Sequence, residues 1–140
     1  MECTIRWSGK GMSFLAETGS QHLLTMDGAP EGGGRNLAPR PMEVVLAGAG
    51  GCTAYDVVVI LKKNGQDVTG CEVSMQAERA SADPKVFTKI HYRFKVRGRN
   101  LKPNLVEQAV RLSHEKYCSA TAMLARTAEI TKDVEVDSVP

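Results

Sequence analysis

Apolar and polar residues alternate through the first stretch of the chain. Cys3, Ile5 and Trp7 fall on one face and Thr4, Arg6 and Ser8 on the other, the pattern of a half-buried strand. A Gly9-Lys10-Gly11 turn follows, then Met12, Phe14 and Ala16 alternate up to a second turn at Gly19. His22 to Asp27 reads as a third strand, so the chain opens on an antiparallel meander. Residues 28–41 are dominated by glycine and proline and predict an exposed, mobile loop. A loop of that length inside a compact domain is often functional.

The period then changes. Pro41 suits the first position of a helix, and MEVVLAGAGGCTAYDVVVILKK runs on to a stop at Asn64-Gly65. Its residues are apolar on nearly every side, which predicts a helix buried all round. Gly48, Gly50 and Gly51 weaken such a helix by roughly 1 kcal/mol each relative to Ala, so they point to close packing by a second helix. Two strands come next. Cys71, Val73, Met75 and Ala77 share one face of the first. After a turn at Ala82-Asp83-Pro84, Val86, Thr88, Ile90, Tyr92, Phe94 and Val96 share a face of the second. The opposite face of that second strand carries Lys85, Lys89, His91, Arg93, Lys95 and Arg97 and should be solvated. Pro103 opens another helix, with Leu105, Val106, Ala109, Val110 and Leu112 at helical spacing; Ser119 is placed where this helix breaks and restarts, capping a short one over 120–128, and Ile130, Val134 and Val136 close with a strand. The order predicts one α+β domain over residues 1–140, with helices packed on antiparallel sheets.

The formal net charge of +2, with the basic residues scattered, gives no footprint for nucleic acid or a membrane surface. No stretch approaches the ~20 apolar residues of a membrane span, and the N-terminal residues lack a signal-peptide core. The expected location is the cytoplasm. There the four cysteines, Cys3, Cys52, Cys71 and Cys118, begin as thiols, and their spacing is not that of a zinc site. No metal or cofactor is expected.

Cys52 lies mid-helix beside Gly50 and Gly51. It is either a small core hydrophobe or a thiol with space cleared around it. Cys118 lies at the helix break, where a helix N-terminus favours thiolate. Cys3 and Cys71 read as core residues of strands. His114 stands four residues before Cys118, yet beside Glu115 and Lys116 it reads as exposed. Asp56 stands four residues after Cys52 and can approach its sulfur; a buried Asp needs a partner. Glu43, in the first helical turn, complements the helix dipole.

APRPMEVVLAGAGGCTAYDVVVIL resembles the first cysteine helix of the osmotically inducible protein C and organic hydroperoxide resistance family, and SHEKYCSATAML resembles that family's second cysteine motif. The resemblance implies the OsmC-like fold, an intertwined homodimer with the cysteine-bearing helices at its centre. It also implies a thiol peroxidase acting on small hydrophobic organic hydroperoxides. Cys52 would attack the peroxide, Cys118 would close a disulfide onto it, and an external dithiol would reduce the pair. The family's catalytic glutamate directly follows the proline. Here that residue is Met42, with Glu43 one position later and rotated by ~100° on the helix. For the family's arginine the candidates are Arg35 and Arg40, with Arg6 a weaker one. The competing expectation is a non-catalytic or redox-sensing protein that holds a small hydrophobic ligand.

Overall fold

A computed structural model describes all 140 residues. They form two compact units, Met1–Ala47 and Gly48–Pro140. In the first, strands β1 (Cys3–Trp7), β2 (Ser13–Thr18) and β3 (Leu23–Asp27) make the expected antiparallel meander, in the order β1-β2-β3. The half-buried β1 of the sequence reading is not found: all five of its residues are exposed, Cys3 among them. Alternation records which residues share a face, not whether anything covers that face.

The glycine-rich loop is more ordered than its composition implied. Asp27, 1% exposed, accepts backbone N–H bonds from Gly28 (2.8 Å), Arg35 (3.2 Å) and Leu37 (3.1 Å). These bonds, led by that from Leu37, hold its carboxyl below the usual carboxylate range. At Gly34 a β-carbon would collide with the backbone of Gly28, so the close approach of two loop arms requires glycine there.

Helix α1 (Pro41–Lys63) begins in the first unit and runs into the second. It is not buried all round. Ala49, Gly50, Thr53, Val57 and Leu61 form one buried stripe, while Val45 and Tyr55 are exposed. Of its three glycines, only Gly50 meets a neighbour outside the helix. A β-carbon there would stand 2.8 Å from the sulfur of Met75, which belongs to a strand and not to a second helix; Gly48 and Gly51 face open space. The helix also exceeds the sequence expectation for hydrophobicity. It is long enough to cross a bilayer, and one 18-residue window averages a hydropathy of 1.9. Its buried stripe, with the polar Thr53 at its middle and the half-buried Asp56 beside it, is the pattern of a helix that packs on protein.

In the second unit β4 (Asp67–Arg79) and β5 (Phe87–Arg99) form the expected long antiparallel hairpin. Ile90, Tyr92, Phe94 and Val96 of β5 are fully buried and make the centre of the core. After β5 come helix α2 (Pro103–Leu112), a π-helical turn over Ser113–Tyr117, and helix α3 (Ser119–Leu124). Strand β6 (Glu129–Val139) then pairs with β5 in parallel, giving the order β4-β5-β6. This sheet is therefore mixed, where antiparallel sheets were expected. A helical crossover returns the chain to the end from which β5 started, and a strand entered from that end must run parallel. Lys95 and Arg97 of the basic face pair with their register partners Glu135 (3.2 Å) and Asp137 (3.4 Å) of β6. At exposed positions such pairs contribute at most about 1 kcal/mol each.

Candidate thiol site

The buried stripe of α1 brings Thr53, and the half-buried residues beside it bring Cys52 and Asp56, toward the break between α2 and α3. Cys118 is the residue at that break. Its backbone is extended, and it caps α3 in place of the expected Ser119. The Thr121 N–H donates to Cys118 Sγ at 3.4 Å, and the Cys118 thiol donates to Thr121 Oγ1 at 3.1 Å. Thr121 Oγ1 in turn stands 2.9 Å from the hydroxyl of Tyr92, which rises from the buried face of β5.

The sulfurs of Cys52 and Cys118 and a carboxylate oxygen of Asp56 all lie within 4.8 Å of one another. Two residues 66 positions apart in the chain thus share one site, with both thiols free. Their surroundings differ. Cys118 is 2% exposed, whereas Cys52 is half-buried. Burial pushes the Cys118 thiol up; the Thr121 hydroxyl and N–H pull it back, and the adjacent Cys52 thiol adds to the rise. Capping α3 therefore does not make Cys118 an activated thiol, because desolvation outweighs the local donors.

Asp56 is held by a pair of hydroxyls. Ser113 Oγ donates to Asp56 Oδ2 at 2.9 Å, and Thr53 Oγ1 stands 2.7 Å from Ser113 Oγ. The π-helical turn makes this possible by carrying Ser113 inward as a fully buried residue. Such turns occur often at functional sites. A groove of about 390 Å³ opens beside Asp56, with Val59, Ile60, Leu105, Leu112 and Tyr117 among its walls.

His114 does not join the thiols. Its ring packs edge-on against Tyr92 (4.7 Å between centroids) and Phe94 (5.6 Å), and neither ring nitrogen has a partner. The solvated His114 of the sequence reading is thus corrected: the π-helical turn rotates it from the outer face toward β5. Burial, with a smaller contribution from Lys132, lowers its pKa to about 4. A depressed folded-state pKa means that the unfolded chain takes up the proton first as pH falls. Stability is full above about pH 6.5 and declines as pH drops toward about 4. The expected loss is roughly 1–2 kcal/mol, allowing for solvent screening at a part-exposed ring. His114→Phe should flatten this part of a pH–stability curve measured by urea unfolding; an unchanged slope would refute the assignment.

Glu43, Arg35 and Arg40 belong to the first unit. Glu43 Oε1 accepts the Arg40 backbone N–H at 2.9 Å and lies 3.5 Å from the Arg40 guanidinium. This is the returning half of a capping box, so Glu43 does secure the helix start. Arg35 is tethered by its backbone to Asp27, and its guanidinium lies near Gly11.

Residues 32–133 match the family model for OsmC-like protein. The chain belongs to the OsmC-like family. It is 46% identical over 136 residues to the protein YhfA of Escherichia coli K12, spanning 97% of this chain and 98% of that one. An OsmC-like protein from Mycoplasma pneumoniae shares the fold with a TM-score of 0.81 at 13% identity, over 97% of this chain and 96% of that one. A Legionella pneumophila protein named an organic hydroperoxide resistance protein OsmC aligns with a TM-score of 0.69 at 17% identity, over 97% and 98% of the two chains. That Cys52 and Cys118 lie close together was legible in the sequence. The roles of Ser113 and Thr121 in holding Asp56 and Cys118 were not. The SHEKYCSAT segment carries both residues, but small hydroxyl side chains on a helix give no periodic signal of their own.

Proposed function

We propose that this OsmC-like protein is a thiol-dependent peroxidase that reduces small organic hydroperoxides through Cys52 and Cys118. The convergence of two free, unequally buried thiols within 4.8 Å carries the reading. The more accessible Cys52 is the attacking thiol. Its thiolate attacks the distal peroxide oxygen, forming an S–O bond and breaking O–O; the departing alkoxide takes a proton and leaves as alcohol. The buried Cys118 then attacks the sulfenic sulfur, S–S forms, and water leaves. An external dithiol reduces the disulfide and is itself oxidised. The groove beside Asp56, with Val59, Ile60, Leu105 and Leu112 among polar residues Lys63, Asn64 and Gln108, offers apolar surface to the organic part of such a substrate, and the name of the Legionella neighbour points the same way. The test is peroxide consumption with cumene hydroperoxide against hydrogen peroxide under a dithiol reductant. Preference for the organic peroxide is expected, and no consumption of either would refute the reading.

The Cys52 thiolate needs a cation, and the proposed donor is Arg35 or Arg40, steadied by Glu43. Removal of the responsible arginine by Arg35→Ala or Arg40→Ala should move the pH dependence of Cys52 alkylation upward. If both variants match the unsubstituted protein, neither arginine serves.

The proposed working form is a homodimer in the cytoplasm. Tyr55 on α1 is 71% exposed and Met123 on α3 is 69% exposed in the single chain, both close in sequence to the cysteines. Sedimentation at micromolar concentration should show a dimer; a stable folded monomer would exclude it.

The second reading, a redox-sensing or ligand-holding protein, draws on the Asp56 carboxylate. A negative charge beside the sulfurs opposes thiolate formation. On that reading, thiol oxidation by cumene hydroperoxide is no faster than that of a free thiol.

A further inference from the structure

Asp56 stands within 4.8 Å of both sulfurs, yet it has the wrong sign to activate either of them. A chain of hydroxyls nonetheless holds it there: Thr53 beside Ser113, and Ser113 donating to Asp56 Oδ2. That bond uses one of the carboxylate's acceptor sites and leaves others free. The second half of the proposed cycle has a use for such a group. Cys118 is buried and its thiol holds its proton tightly, so closing the disulfide requires that proton to be removed. In the same step hydroxide leaves Cys52 and requires a proton.

We propose that Asp56 is the proton carrier of disulfide closure. Its carboxylate takes the proton from the Cys118 thiol as the sulfur attacks, directly after a small side-chain movement or through one water. The Cys118 electron pair forms the S–S bond, the S–O bond of the Cys52 sulfenic acid breaks, and Asp56 passes the proton to the departing hydroxide, giving water. Asp56 ends the step unprotonated, and no further oxidant or reductant enters. Thr53 and Ser113 are positioning residues. Thr121 takes a different part: its N–H donates to the Cys118 sulfur, and its hydroxyl, which accepts the thiol's hydrogen bond in the resting state, has to turn to donate once that proton has passed to Asp56, with Tyr92 beside it.

The inference rests on the two-thiol reading, and its signature is an opposite effect on the two half-reactions. Asp56→Asn keeps the shape and the bond from Ser113 but removes both the charge and the base. Sulfenic acid formation, followed by trapping with dimedone in the Cys118→Ser background, should be as fast or faster. Disulfide closure, followed by loss of free thiol after a single peroxide addition, should slow on the order of 10²-fold. Asp56→Glu should recover part of the closure rate, and Ser113→Ala should lose part of it. Diamide supplies a route to the same disulfide that does not use a peroxide. It adds to Cys52, and Cys118 must still surrender its proton to displace the hydrazine. A closure defect of Asp56→Asn with diamide supports the carrier role even if no variant consumes hydroperoxide, an outcome that would overturn the peroxidase reading alone. Closure at the unsubstituted rate in Asp56→Asn with both oxidants overturns the carrier role. Equal slowing of both half-reactions, with a lowered melting temperature, also overturns it, because Asp56 would then be purely structural.

Discussion

Cys52→Ser is expected to reduce hydroperoxide turnover to background, while Cys118→Ser completes one turnover and stops. The first substitution replaces the sulfur that attacks. A serine hydroxyl beside the Asp56 carboxylate remains protonated and cannot attack a peroxide oxygen. The fall should be on the order of 10³-fold or more, as when other active-site nucleophiles are removed. The second substitution leaves the half-buried Cys52 in place and removes the thiol that would close on it. One equivalent of alcohol should form, and sulfenic acid should accumulate in a form that dimedone traps. The two phenotypes differ because the two sulfurs differ in access, with Cys118 only 2% exposed. Mass spectrometry after one equivalent of cumene hydroperoxide distinguishes them. Equal turnover by the unsubstituted protein and Cys52→Ser would sink the enzyme reading. A trapped sulfenic acid on Cys118 instead of Cys52 would exchange the two roles.

Much of this architecture could be read from residue patterns, for reasons that also explain the errors. The alternation of Ile90, Tyr92, Phe94 and Val96 marked the inner face of β5, and all four are fully buried. Here the pattern is long and its opposite face strongly charged, so one arrangement alone satisfies both. The same alternation over Cys3, Ile5 and Trp7 marked a face that is exposed. A five-residue pattern says which side chains travel together and carries no information on what lies opposite. The direction of β6 was misread although the signal was present. Two helices between β5 and β6 make a crossover, and a crossover brings a strand back parallel. His114 was misplaced because a regular helix was assumed through residue 118, whereas the π-helical turn adds a residue to the repeat and changes the direction in which its side chains face. Asp56 was recognised as able to reach Cys52. Its partner Ser113, 57 residues away, could come only from the three-dimensional arrangement.

A large stability effect is expected at Gly98, where the buried face of β5 ends. A β-carbon on Gly98 would collide with the carbonyl oxygen of Asp67 on the paired strand β4, and would stand 2.7 Å from a methyl of Leu101. Leu101 is itself 7% exposed, folded under the sheet just past the strand. The first obstacle is backbone held in a ladder and the second is a packed core side chain, so neither yields cheaply. No positive φ is involved at Gly98; the need for glycine there is one of space alone. Gly98→Ala should destabilise the fold by about 3 kcal/mol, the upper end for overpacking, and lower the melting temperature by roughly 10 °C. Gly32→Ala is the control. It sits in the loop with nothing near its β-carbon position and should shift stability by no more than about 0.5 kcal/mol. The thiol site hangs on the same strand through Tyr92, whose hydroxyl meets Thr121 beside Cys118. Tyr92 lies six residues before Gly98, inside the long hairpin. Local strain at the strand end should therefore reduce the folded fraction without retuning the sulfurs. Below the melting transition, the rate of Cys52 alkylation per folded molecule in Gly98→Ala should match the unsubstituted protein. A melting temperature within about 2 °C of the unsubstituted value, on the scale of about 3 °C per kcal/mol, would show that β4 and Leu101 yield more readily than close packing implies.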